Sequence, residues 1–237
     1  MKKMPMPSKK KIAVLTGAGI SAESGISTFR DSNGLWENHD IMEVASYDGW
    51  MKNKELVLNF YNNRRRQLKE VQPNEAHMEL VRLSQHFDVT IVTQNVDDLH
   101  ERAGSEKVIH LHGELTKARS TINEELIYTW HKDINIGDKC EKGSQLRPHI
   151  VWFGEMVPML DTAASIIEQT DVVIIIGTSM QVYPAASLVG YANYDVPIYY
   201  VDPRPSLNHE LSQIRHLNVI PERATIGVKM VVEKLLK

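Results

Sequence analysis

The chain has 237 residues, 42% of them hydrophobic and 24% charged, with a net charge of −3. That is enough for one sizeable core, or for one domain with a modest insertion, and the charge gives nucleic acid no general reason to bind. The single cysteine, Cys140, excludes an intramolecular disulfide and any zinc site that needs two thiolates.

No apolar run is long enough to span a bilayer, and the basic start lacks the apolar segment of a secretion signal, so the expectation is a cytoplasmic protein that needs no membrane. Residues 12–15 (Ile-Ala-Val-Leu) read as a short buried strand. Gly17-Ala-Gly-Ile-Ser-Ala-Glu-Ser-Gly25 follows. Glycines between a strand and small, helix-starting residues suit a backbone brought against a pyrophosphate. Gly17 and Gly19 can take positive φ and have no Cβ, and a following helix would offer N–H groups and a positive dipole end. The third glycine of G-x-G-x-x-G is displaced to Gly25, so the loop alone also fits a tight turn without ligand. No acidic residue stands at a strand end about 20 residues on, which argues against an ordinary hydride-transfer fold.

Residues 37–70 read as helical, with Leu56, Phe60 and Leu68 as an apolar stripe. Tyr61 and Arg64 lie three apart there and share a face. A solvated face explains the arginine run at 64–66 most simply; a hydroxyl beside a guanidinium also suits a small carboxylate. A helix over 74–85 leads to a strand at 89–93. At its end stand Gln94, Asn95, Val96 and Asp97, which suit ribose hydroxyls and a carboxamide, or an Asx turn capping the next helix. After a strand at 108–111, His110 and His112 point to one face. Such a histidine can be structural or the base for a sugar hydroxyl; no third metal ligand stands at suitable spacing, and Gly113 would let a substrate come close.

Residues 117–147 are polar and irregular, with a turn at 135–138. Residues 147–155 are extended and fit either a core strand or one that pairs with a peptide. A helix over 160–169 precedes the most apolar strand, 172–176, which ends in Gly177, Thr178 and Ser179: small hydroxyls for phosphate or ribose, or a plain turn. A helix over 185–193, a strand at 198–201 and a helix over 224–236 complete the chain, the last with Val228, Val232 and Leu235 on one face. Apolar strands without polar alternation, alternating with helices, predict an α/β fold: a doubly wound, Rossmann-like parallel sheet with a smaller inserted lobe. The single domain would place 1–36, 71–116 and 148–237 in the Rossmann-like part, and 37–70 and 117–147 in the lobe.

Together these runs resemble the sirtuin family, the NAD-dependent protein-lysine deacylases. The resemblance rests on 17–25 with Thr28, Phe29 and Arg30; on 34–36, 93–97 and 112–113; on 146–148 with 151–155; and on 177–179 and 224–227. It implies that Gly17, Ala18, Gly19, Ile20, Ser21, Ala22, Glu23, Thr28, Phe29, Arg30 and Trp36 hold NAD, together with Gln94, Asn95, Val96, Asp97, Gly177, Thr178, Ser179 and Ala224. Asn95 and Asp97 would line the nicotinamide pocket. It implies that Val151, Phe153, Gly154 and Glu155 pair with the backbone of an acylated-lysine protein, and that His112 is the base. In the reaction it implies, the acyl oxygen displaces nicotinamide from the ribose, a ribose hydroxyl deprotonated with help from His112 attacks the resulting alkylimidate, and hydrolysis leaves free lysine and acylated ADP-ribose.

Tyr61 and Arg64 resemble the pair that binds the distal carboxylate in the subgroup preferring malonyl- and succinyl-lysine, so the expected activity is desuccinylase or demalonylase with some deacetylase. Two other functions stay open: an ADP-ribosyltransferase or NAD hydrolase of the same fold, and a non-catalytic NAD-binding module. The chain departs from the family at its zinc module, where Ser120 and Asn123 take the places of the first cysteine pair and Cys140 is offset from the second. No zinc is expected, and residues 117–147 should fold on apolar contacts such as Leu126, Ile127, Tyr128 and Trp130. Ser27 stands where proline is usual. Glu114, beside His112, would raise that base's pKa or face solvent.

Overall fold

The computed structural model describes residues 9–28, 35–36 and 39–237. Its elements run β1 (Lys11–Thr16), β2 (Leu35–Trp36), β3 (His39–Asp40), α1 (Ile41–Val44), α2 (Tyr47–Lys52), α3 (Lys54–Leu68), α4 (Glu75–Ser84), β4 (Asp88–Thr93), α5 (Leu99–Ala103) and β5 (Val108–His110). There follow β6 (Gly113–Ser120), β7 (Ile127–Thr129), β8 (Leu146–Ile150), α6 (Leu160–Glu168), β9 (Val172–Ile176), β10 (Ile198–Val201), α7 (His209–Ser212), β11 (Leu217–Ile220) and α8 (Ala224–Leu235).

Six strands form one parallel sheet in the order β11-β10-β9-β1-β4-β5. Both faces are covered, which explains the unbroken apolar runs. Along β1 the side chains alternate: Ile12 and Val14 join the core under α4 and α8, and Ala13 and Leu15 the core under α6. The chain leaves β1 toward β4 and β5, then returns on the other side to β9. The order therefore reverses beside β1, where doubly wound folds open a crevice for ligands. Asn74 starts α4 with a capping box shared with His77, and the Asn53 side chain accepts the Leu56 N–H at the start of α3.

A third core joins α1–α3 to a three-stranded antiparallel sheet, β7-β6-β8. Residues 117–147, read from sequence as irregular, supply much of that sheet, because β6 runs on from Gly113 to Ser120. Leu126, Tyr128 and Trp130 pack on this core, but Ile127 faces solvent at 43% exposure. Polar clamps add to this core. Asn62, buried on α3, donates to the Ile134 carbonyl and accepts the Ile134 N–H, both at 2.9 Å. Gln145 donates to the Asn135 carbonyl and accepts the Gly137 N–H.

Three local readings change. The glycine loop leads not into a helix but into two 3₁₀ turns, Ala18–Ile20 and Ala22–Ser24. The segment at 185–193 is likewise a 3₁₀ helix, Ala185–Tyr191. Residues 147–155 are extended only through Ile150; a turn closed by the Glu155 N–H on the Trp152 carbonyl ends them.

Candidate active site

A cleft of about 660 Å³ opens at the carboxyl ends of β1, β4, β9 and β10. Its floor is the glycine loop packed on the end of β9. A Cβ on Gly17 would lie 2.8 Å from the Gly177 carbonyl oxygen, and one on Gly19 only 2.5 Å from the Gly177 Cα. Gly17 has φ −125° and Gly19 is not among the positive-φ glycines, so close approach and not a left-handed conformation explains both residues. Gly177 itself sits at φ +60°.

Beneath the loop runs a buried hydrogen-bond chain. Asn95 Nδ2 donates to Ser21 Oγ at 3.2 Å, and Ser21 Oγ donates to Asp97 Oδ2 at 3.1 Å. Asp97 Oδ1 accepts the Leu99 N–H at 3.2 Å, so the Asx reading of this turn holds as well. Burial pushes the Asp97 carboxyl up to about 6. Gln94 reaches across to Thr178 Oγ1 at 3.0 Å, tying the ends of β4 and β9 together.

His112 lines the same cleft, and its Nδ1 lies 3.0 Å from the Gln94 carbonyl oxygen. A carbonyl only accepts, so Nδ1 carries the proton and the neutral ring keeps its lone pair on Nε2. Burial lowers the His112 pKa from the ordinary imidazole value. Glu114 does not act on it: its carboxylate takes the Lys117 ammonium at 2.7 Å. Gly113, expected to admit a substrate, serves the sheet. At φ +81° a Cβ there would lie 2.0 Å from the His149 carbonyl oxygen on β8.

The structure brings most of the sequence-derived site residues to this one cleft, in the segments 17–19, 22–23, 94–97, 151, 153–155 and 177–179, with Thr28, Trp36, Tyr61, Arg64, His112 and Ala224. Ile20 and Ser21 lie behind its wall, fully buried. Phe29 and Arg30 lie outside the described residues. Glu23 spends its carboxylate on α8, accepting the Thr225 N–H at 3.0 Å and the Thr225 hydroxyl at 2.9 Å. Glu155 turns inward and accepts from Arg147 at 2.6 and 3.0 Å, from Arg119 at 3.2 Å and from the Trp152 N–H at 2.8 Å.

Several lining residues stand outside the sequence-derived set, Asp202 and Trp152 among them. Asp202 is buried at the end of β10 and lines the cleft. In the sequence, an acid directly after the apolar run 198–201 was its only signal. Trp152 is hidden in a run that reads as a strand, and its indole N–H donates to the Tyr61 hydroxyl oxygen at 3.0 Å. Among the described residues there is no group of three or more metal-ligating side chains, and no helix is long and apolar enough to cross a membrane.

Comparison with known proteins gives concordant results. The profile of the Sir2 family matches residues 17–184. An "NAD-dependent protein deacylase" of Helicobacter pylori is 56% identical over 228 residues, covering 96% of each chain. One of Bacteroides thetaiotaomicron is 47% identical over 233 residues, covering 96% of this chain and 98% of its own. Among solved structures, a Sir2 homologue in complex with NAD superimposes with TM-score 0.83 at 40% identity, covering 96% of this chain and 90% of the other. A Sir2 protein bound to an acetylated peptide does so with TM-score 0.78 at 28% identity, covering 95% and 93%.

Proposed function

Since the chain belongs to the Sir2 family and is an NAD-dependent protein deacylase, we propose that it prefers lysines carrying an acidic acyl group, succinyl or malonyl, with some activity on acetyl-lysine. The observation that carries this reading is that Tyr61 and Arg64, one turn apart on α3, line the same cleft as His112. A guanidinium and a hydroxyl there supply the charge-assisted contacts that a distal carboxylate needs and that an acetyl group cannot use.

The donor set fits NAD. Glycines bring backbone to the cleft floor, Thr178 and Ser179 offer hydroxyls, and Asp202 is an acceptor suited to a ribose hydroxyl. NAD, when bound, supplies the ribose that takes over the acyl group. Asn95 and Asp97 hold the carboxamide of nicotinamide, and their chain through Ser21 keeps them rigid. His112 Nε2 takes the proton of a ribose hydroxyl, while Nδ1–H stays on Gln94 and fixes the tautomer. Val151, Phe153 and Gly154 form the edge for the substrate backbone; Glu155 stiffens that edge from behind.

We infer that residues 117–147 need no zinc to hold their shape. Ser120, Cys140 and Ser144 meet there, with Oγ–Oγ 2.8 Å and Sγ–Oγ 3.5 and 3.2 Å. Two hydroxyls and one thiol make a poor zinc site.

Nicotinamide release measured with acetyl-, malonyl- and succinyl-lysine peptides of one sequence tests the acyl preference. Arg64→Met should cut kcat/KM for the acidic acyl groups by about tenfold or more and spare acetyl-lysine. An equal fall on all three peptides removes the carboxylate clamp.

A further inference from the structure

We propose that Trp152 is a positioning residue that sets the polarity of the acyl pocket: its indole N–H occupies the Tyr61 oxygen and leaves the Tyr61 hydroxyl proton to be given to the substrate's acyl carboxylate. This rests on the acidic-acyl reading above.

A tyrosine hydroxyl can donate or accept, so beside a ligand its role is set by its other partner. An indole N–H can only donate. At 3.0 Å from Tyr61 Oη it takes that oxygen as acceptor. Tyr61 is fully buried, and among the described residues nothing accepts its proton. Burial also raises the phenol's pKa, so the proton stays on the oxygen at any pH at which the enzyme works. The hydrogen bond left to Tyr61 is a donated one, and both residues line the cleft.

Trp152 has no freedom to do otherwise. It is 2% exposed, its ring lies 5.7 Å from that of Trp50, and the Arg147 guanidinium sits 3.3 Å from its centroid. Arg147 is held by both oxygens of Glu155 and by the Ile150 carbonyl at 2.9 Å, and Glu155 also takes the Trp152 backbone N–H. The cation over the ring draws electron density from the indole and strengthens its N–H as a donor. Glu155, Arg147, Trp152 and Tyr61 thus form one chain of contacts from the strand edge to the acyl pocket.

A double-mutant cycle on the full chain tests the assignment, with kcat/KM measured at saturating NAD on succinyl- and acetyl-lysine peptides of one sequence. Trp152→Phe keeps an aromatic ring and removes the donor. It should lower the succinyl-to-acetyl ratio about fivefold, through the KM for the succinyl peptide, and Tyr61→Phe should lower it about tenfold. In the Tyr61→Phe background, Trp152→Phe should lower the ratio no further. Independently of turnover, the indole N–H resonance of Trp152 should move upfield in Tyr61→Phe. A ratio that falls with Tyr61→Phe but not with Trp152→Phe overturns the proposal and leaves the acidic-acyl reading intact. So does a Trp152→Phe loss repeated in full on Tyr61→Phe, or an indole resonance that does not move. A wild type that favours acetyl-lysine, with a ratio unmoved by Arg64→Met, overturns both.

Discussion

Asn62→Ala is the sharpest test of how the lobe over the cleft is held. Its side chain meets the N–H and the carbonyl of Ile134, both at 2.9 Å, and its Oδ1 also takes Arg65 Nη1 at 2.8 Å. Ile134 is fully buried, so water cannot replace either partner. A buried backbone group left unpaired costs about 1–3 kcal/mol, and two of them together roughly 3–5 kcal/mol. For a chain of 237 residues, each kcal/mol moves the midpoint by about 2–4 °C, so Tm should fall by ~6–20 °C. Thermal melts followed by tryptophan fluorescence, with and without EDTA, make the measurement. A lobe held by these clamps loses stability in the variant and is indifferent to the chelator. If EDTA lowers Tm and Asn62→Ala costs less than 1 kcal/mol, a metal is doing the work assigned to the clamps.

Further outcomes follow from single contacts. Gly19→Ala places a methyl 2.5 Å from the Gly177 backbone, where no flexible side chain can yield; it should raise the KM for NAD at least tenfold with a stability loss of about 1–3 kcal/mol, and an unchanged KM refutes the packed floor. His112→Ala should stop deacylation while nicotinamide still binds, and in the wild type the acid limb of kcat should lie below pH 6.5, because burial lowers the His112 pKa; a limb above pH 7 would contradict the buried neutral base. His77 has a folded pKa of about 4, lowered by burial. Its unfolded state takes up a proton first, near pH 6.5, so stability is whole above that value and declines by up to about 3 kcal/mol as pH falls toward 4; the slope of Tm against pH should flatten in His77→Gln.

What the sequence made legible follows from burial. The strands at 12–15, 89–93, 172–176 and 198–201 stood out because each is covered on both faces and needs no polar alternation. The edge strand β11 carries Asn218 and an exposed Val219, so nothing in its pattern separates it from a loop. The lobe's antiparallel sheet was hidden for a related reason: Lys117 and Arg119 on β6 and Arg147 on β8 are drawn into ion pairs, and charged residues in a strand look like surface. The cleft residues were legible where chemistry and backbone coincide, as in the glycine loop and at 94–97. They were illegible where distant segments meet. Neither Asp202 at the foot of the cleft nor the Trp152–Tyr61 bond can be read from spacing, since 91 residues separate that pair.

The two histidines at and just beyond the end of β5 show why the tertiary setting decides chemistry that sequence leaves open. His112 Nδ1 lies 3.0 Å from the Gln94 carbonyl, and His110 Nδ1 lies 3.0 Å from the next one, Asn95. Up to that point the two are equivalent. The difference lies at the far nitrogen: His110 Nε2 is 2.8 Å from the Glu101 carboxylate, which raises the His110 pKa, whereas among the described residues no carboxylate pairs with His112 and burial lowers its own. One ring therefore favours the doubly protonated form that locks β5 to the 94–95 turn. The other keeps a free lone pair facing the cleft. The proposed base and its positioning partner arise from the same residue type two positions apart, because α5 brings a glutamate to one and not to the other. Glu101→Gln should return the His110 pKa toward the ordinary imidazole value and loosen the Asn95 carbonyl, raising the KM for NAD while leaving the His112 limb of the pH profile in place. A shift of that limb by half a unit or more would mean that the two rings titrate as one system.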